Sequence, residues 1–191
     1  MLSGSRRARD LHLLDHVDAY PRRPYVGVLW RVVRDGRDPL QPGRAPSRWC
    51  NGSFDVLYAA LERDGAIAEV HALLSLQPVF PSKIAFKVHR LRASVRQSLH
   101  LTDLPTLARL GIDVDRYQTR DYAKTQEIAD AAYFLGFDGL FAPSARWRCT
   151  NAVLFTDRVE PGCLSLAKTE PKPIDWQEWR RGTRSGGRTR G

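Results

Sequence analysis

The chain has 191 residues, of which 42% are hydrophobic and 27% charged, a balance that excludes both a globally disordered polymer and an integral membrane protein. Its formal charge of +9 raises the question of nucleic acid, but much of the excess lies after Trp179, in Arg180, Arg181, Arg184, Arg188 and Arg190. Glycine and serine separate those arginines and nothing apolar follows the tryptophan, so the segment reads as a disordered tail, either simply solvated or a contact arm for nucleic acid or an acidic protein partner.

In chain order, Met1 to Asp18 mixes arginines with aspartates and offers no apolar core for a signal peptide, and no later run is long enough for a membrane span. Pro21 and Pro24 set off this short amphipathic stretch from a first strand, Tyr25 to Val33. A loop rich in Gly, Pro, Arg and Asp follows to Ser47, then a buried strand over Asp55 to Ala60. Helical spacing of Ile67, Val70 and Leu74 predicts a largely buried helix from Arg63 to Leu74. Alternation over Lys83 to Leu91 predicts a strand with one face in the core. Leu104 to Leu110 and Asp121 to Leu135 read as helices stopped by Gly111 and Gly136, and Asp138 to Ala142 and Ala152 to Phe155 as strands. Strands and helices do not alternate regularly, so the expected class is α+β, with a mixed sheet core and flanking helices in one domain. The predicted divisions are an N-terminal extension (1–24), a catalytic domain (25–160) and a C-terminal extension ending in the basic tail (161–191).

Glycine-rich dinucleotide and P-loop fingerprints are missing, as is any His-Glu-x-x-His pattern. Three cysteines, Cys50, Cys149 and Cys163, are an odd number without metal-ligand spacing, which fits a reducing cytoplasm and neither a disulfide framework nor a zinc site. Glu69 is a lone carboxylate in the apolar run Ala66, Ile67, Ala68, Val70, and needs either a partner or a purpose. Arg31 stands inside an apolar strand and Arg48 ends a flexible loop; their forked donors match phosphate or carboxylate. Ser144, Arg146 and Asn151 add a hydroxyl, a cation and an amide between two strands, a set suited to an oxygen-rich ligand.

Taken in order, LWRVV around Arg31, SRWCNGSFDVLYAA with Arg48 and Tyr58, AIAEV around Glu69, TQEIADAAYFLGFDGLFAPSAR with Ser144 and Arg146, and NAVLF from Asn151 resemble the RES-domain family. The resemblance spans roughly Tyr25 to Val159. One departure is Cys50-Asn51, where relatives often carry Asn-Pro. The resemblance implies a fold like that of ADP-ribosyltransferases and cleavage of NAD⁺ at the nicotinamide–ribose bond, by phosphorolysis to nicotinamide and ADP-ribose-1″-phosphate. It also implies a toxin held in check by an antitoxin with an Xre-type helix-turn-helix, through which alone DNA would be reached. No separate cofactor or metal is called for, NAD⁺ being the substrate and inorganic phosphate its co-substrate.

On that reading Glu69, Arg31 and Ser144 are the catalytic set. Glu69 stabilises the developing ribosyl cation, Arg31 and Arg48 take the pyrophosphate or phosphate, and Tyr58 stacks on nicotinamide or ribose. Ser144 and Asn151 orient by hydrogen bonds, and Arg146 holds its loop or a phosphate. The rivals are an NAD⁺ glycohydrolase, an ADP-ribosyltransferase acting on a macromolecule, and a basic nucleic-acid-binding module stacking bases on Trp49, Trp147, Trp176 and Trp179.

Overall fold

The computed structural model describes residues 8–186. Helix α1 (Leu11–Asp18) starts at Asp10, whose carboxylate accepts the amides of His12 and Leu13. Strand β1 (Arg23–Arg34) leads through the long loop to β2 (Val56–Ala60), α2 (Arg63–Leu74) and β3 (Phe86–His100). After α3 (Leu104–Arg109) and a single 3₁₀ turn (Val114–Arg116) come α4 (Ala123–Phe134), β4 (Gly139–Pro143), β5 (Thr150–Phe155), β6 (Leu164–Thr169) and α5 (Trp176–Gly186). Gly111 (φ 83°) and Gly136 (φ 87°) lie just beyond α3 and α4 in the left-handed region, which side chains disfavour. The architecture is the expected α+β domain.

The sheet order is β1-β2-β5-β4-β3-β6, and β1 also pairs with β3. Five strands therefore close into a ring, with β6 added antiparallel on the outer edge of β3. The ring's seams are unequal. β1 and β3 run antiparallel from Arg23↔Ser98 to Arg34↔Phe86, whereas β1 meets β2 through the single pair Trp30↔Ala60. Leu29, Leu57, Leu91, Phe141 and Leu154, contributed by all five ring strands, pack together as the ring interior. A second core joins the outer faces of β2, β4 and β5 to α1, α3 and α4, and a third seats α2 and Trp176 against Val32, Ala60 and Val88.

Two expectations are corrected. β3 runs nine residues past the predicted end at Leu91, to His100, with Ala93 and Val95 still buried. The polar residues Arg92, Ser94, Arg96 and Gln97 between them hid that period. The division at residue 160 also fails, because β6 extends the sheet and Trp176, 4% exposed, belongs to the core. The segment read as a disordered tail is helical through Gly186, and its last residues, 187–191, lie outside the described ones. Among the described residues no helix is long and apolar enough to cross a membrane.

Candidate active site

Glu69 lies on α2, whose first turns are drawn tightly onto the sheet: Gly65, Ala66, Ile67 and Ala68 are buried. A β-carbon on Gly65 would overlap Cys149 Sγ, so glycine there lets the helix sit close to the loop between β4 and β5. That closeness brings Glu69 Oε1 to Ser144 Oγ at 2.6 Å and Asn151 Nδ2 at 2.7 Å. The hydroxyl of Ser144 accepts the amides of Arg146 (3.0 Å) and Trp147 (3.1 Å), which leaves its proton for the carboxylate. Oε1 is thus fixed by two neutral donors, while Oε2 has no hydrogen bond from the described residues. Glu69 forms no salt bridge with Arg31, Arg48, Arg120 or Arg146, so the structural ion pair that its sequence context allowed is not the explanation for it.

The carboxylate opens into a cavity of about 460 Å³, within the range of roughly 300–1,000 Å³ usual for small-molecule sites. The walls include Arg31, Arg48, Tyr58, Arg146 and Asn151 together with Trp30, Ser47, Arg120 and Tyr122. Ser144 is not on this wall; it holds Glu69 from the adjoining pocket.

Arg31 occupies the ring face one inward position beyond Leu29, opposite His89 in the β3 register. It is the mouth of the ring, and the guanidinium there is largely dehydrated. Nη2 donates to the Gln41 carbonyl at 2.9 Å, and Nη1 is buried without a partner. Burial pulls the group below its ordinary range, down to about 10, with Asp38 opposing the shift. A buried guanidinium with an unpartnered donor, on a residue that lines the cavity, is a place for an anion.

Arg48 donates to the Thr119 carbonyl at 3.0 Å and lies against the rings of Tyr117 (4.7 Å) and Tyr122 (4.9 Å). The hydroxyl of Tyr58 receives the Trp49 amide at 2.8 Å and shares a hydrogen bond of 2.8 Å with Ser47 Oγ. Burial holds this phenol well above the usual tyrosine range. Tyr58 thereby fixes the turn that carries Arg48, while its ring lines the cavity. The Cys50 thiol is buried and accepts the Gly52 amide at 3.4 Å, so the departure at Cys50-Asn51 is absorbed locally.

The sequence reading missed Arg120 and Tyr122. They fall at the front of the helix predicted from Asp121, which in fact starts at Ala123. An arginine and a tyrosine crowded just ahead of a helix were the available signal. Trp49, 1% exposed, and Trp176, 4% exposed, are core residues and cannot stack bases, which removes two of the four platforms that the nucleic-acid reading needed. Among the described residues no group of three His, Cys, Asp or Glu side chains could hold a metal ion.

The RES domain profile matches residues 28–177, and this chain belongs to the RES domain family. Among its relatives, proteins named NAD(+) phosphorylase MbcT from Mycobacterium bovis and Mycobacterium tuberculosis are 24% identical over 181 residues, covering 91% of this chain and 97% of theirs. The fold is similar to one in the crystal structure of the M. tuberculosis MbcT-MbcA toxin-antitoxin complex, with a TM-score of 0.78 at 22% identity, over 91% of this chain and 98% of that one.

Proposed function

We propose that this chain is an NAD⁺ phosphorylase that breaks the nicotinamide–ribose bond and yields nicotinamide and ADP-ribose-1″-phosphate. It acts as a cytoplasmic toxin neutralised by an antitoxin partner. The reading is supported by the family, by the printed name of the mycobacterial relatives and by the complex in which the structural neighbour occurs. The observation that carries it is Glu69: one oxygen is tethered and the other is free, in a cavity whose four other charged residues are arginines.

Departure of nicotinamide leaves positive charge on the ribose carbon, in a transition state like that of other glycosidic cleavages. Glu69 Oε2 meets that charge, and Ser144 and Asn151 keep the carboxylate from turning away. Ser144 is an orienting residue here and not a nucleophile, because its proton is committed to Glu69. Nicotinamide leaves as a neutral molecule, so no strong general acid is required, and the cavity wall has none. Arg31 and Arg48 take the pyrophosphate. Arg146, whose guanidinium donates no hydrogen bond to the described residues, adds a cation to the same wall. The fold is of the ADP-ribosyltransferase kind, NAD⁺ is substrate with no separate cofactor, and the antitoxin, of the Xre helix-turn-helix type, acts by covering the cavity.

Purified protein with NAD⁺ tests this, with products resolved in the presence and absence of inorganic phosphate. Nicotinamide and ADP-ribose-1″-phosphate are expected. ADP-ribose alone would make water the acceptor, label on macromolecules would make the chain a transferase, and intact NAD⁺ would end the reading.

A further inference from the structure

The cavity is lined by four arginines and a single carboxylate, a net charge of +3 among its lining residues that Asp38 near Arg31 offsets only in part. NAD⁺ carries a net single negative charge, since the nicotinamide cation offsets part of the pyrophosphate. The dinucleotide therefore does not exhaust the field of the site. A second, separate anion fits the remainder.

The arginines are held differently. Arg31 and Arg48 each donate to a backbone carbonyl, at 2.9 Å and 3.0 Å. Arg120 is exposed, and its two contacts are long: Nη2 to the Ala72 carbonyl at 3.4 Å and Nη1 to the Tyr122 hydroxyl at 3.3 Å. Bonds of that length yield readily to a charged acceptor. Their direction matters as much. Ala72 follows Glu69 by three residues on α2, so both lie on one face of the helix, and both line the cavity. Arg120 thus reaches across from the segment before α4 to within one helical turn of the carboxylate. Tyr122 couples it to Arg48, whose guanidinium lies over the Tyr122 ring, and Arg48 anchors the preceding residue through the Thr119 carbonyl.

We propose that Arg120, steadied by the Tyr122 hydroxyl, binds the attacking inorganic phosphate beside Glu69; the assignment rests on the NAD⁺-cleaving reading above. An unprotonated oxygen of hydrogen phosphate forms the new bond to the ribose carbon. The carbon–nitrogen bond breaks with its electron pair going to nicotinamide, so the pyridinium charge is discharged and no proton has to move. Arg31 and Arg48, firmly held, grip the dinucleotide; of the two looser cations Arg120 is the one that reaches the Glu69 face of α2, and it serves the smaller co-substrate that enters and leaves with each turnover.

The test is steady-state kinetics of Arg120→Met, Arg120→Lys and Tyr122→Phe, varying phosphate and NAD⁺ separately, with thermal melts to establish folding. Arg120→Met should raise the KM for phosphate on the order of ten- to hundredfold while the KM for NAD⁺ stays within about twofold. Arg120→Lys keeps the charge without the fork and should recover part of the loss, and Tyr122→Phe should show a smaller rise in the same parameter. An unchanged phosphate KM in folded Arg120→Met, or an equal rise in both KM values, overturns the assignment while NAD⁺ cleavage stands. Wild-type turnover that ignores phosphate overturns it too. A wild-type protein that leaves NAD⁺ intact defeats the function itself.

Discussion

Replacing Glu69 by glutamine exchanges one oxygen for nitrogen. The remaining amide oxygen can still accept the 2.6 Å bond from Ser144 and the 2.7 Å bond from Asn151, so the tether survives and only the charge at the Oε2 position is lost. A unit charge pair at about 4 Å in a site of effective dielectric near 20 is worth about 4 kcal/mol. The ribosyl cation is only partly developed in the transition state, so about two-thirds of that, or roughly two decades in rate, is the expected loss. The assay is nicotinamide release at saturating phosphate, paired with a thermal melt. Removing a charge that forms no direct ion pair, while keeping its two hydrogen bonds, should change the melting temperature little. A folded Glu69→Gln protein that retains turnover within about threefold of wild type would refute the electrostatic role of this carboxylate.

Gly65→Ala should push α2 off Cys149, cost about 1–3 kcal/mol and cut activity by moving Glu69; adding Cys149→Ala should restore much of both, as read by melts and NAD⁺ consumption. Tyr58→Phe removes the partner of the Trp49 amide and of Ser47, so a destabilisation of about 1–3 kcal/mol with a raised KM for NAD⁺ is expected in denaturation and kinetic measurements. Trp176→Ala should cost about 3–5 kcal/mol in denaturant unfolding, whereas an appended tail would lose nothing. Burial lowers His71, His89 and His100 below their ordinary 6.5, so the unfolded chain binds protons that the native one resists. Stability is therefore complete above about 6.5 and falls as the pH drops through the lowered values; melts from pH 8 to 5 should show the decline, and His89→Gln should flatten it.

Much of the site was legible because its residues violate their local pattern. Glu69 interrupts an apolar helix and Arg31 an apolar strand, and both turn out to line one cavity. Tyr58 was legible as a cavity residue, but not as the anchor of the turn before it, since a phenol's hydrogen-bond partners depend on how a loop folds back. Arg120 looked like any surface cation, because its importance comes from reaching α2, 48 residues away in sequence. The strands of the ring were visible in the periodicity, yet β6 was not: its sequence, LSLAKT, is short, partly exposed and held by pairing to β3, a contact that no local pattern announces.

The cavity sits where the ring is most weakly joined. Trp30 and Ala60, the one residue pair connecting β1 to β2, are both part of its wall. An occupant gripping Arg31 on β1 and Glu69 on the helix that follows β2 spans that joint like a rivet. Substrate should then slow amide exchange across 28–33 and 58–60 more than elsewhere, and a plug pressed into the opening would stiffen the barrel wall by the same route.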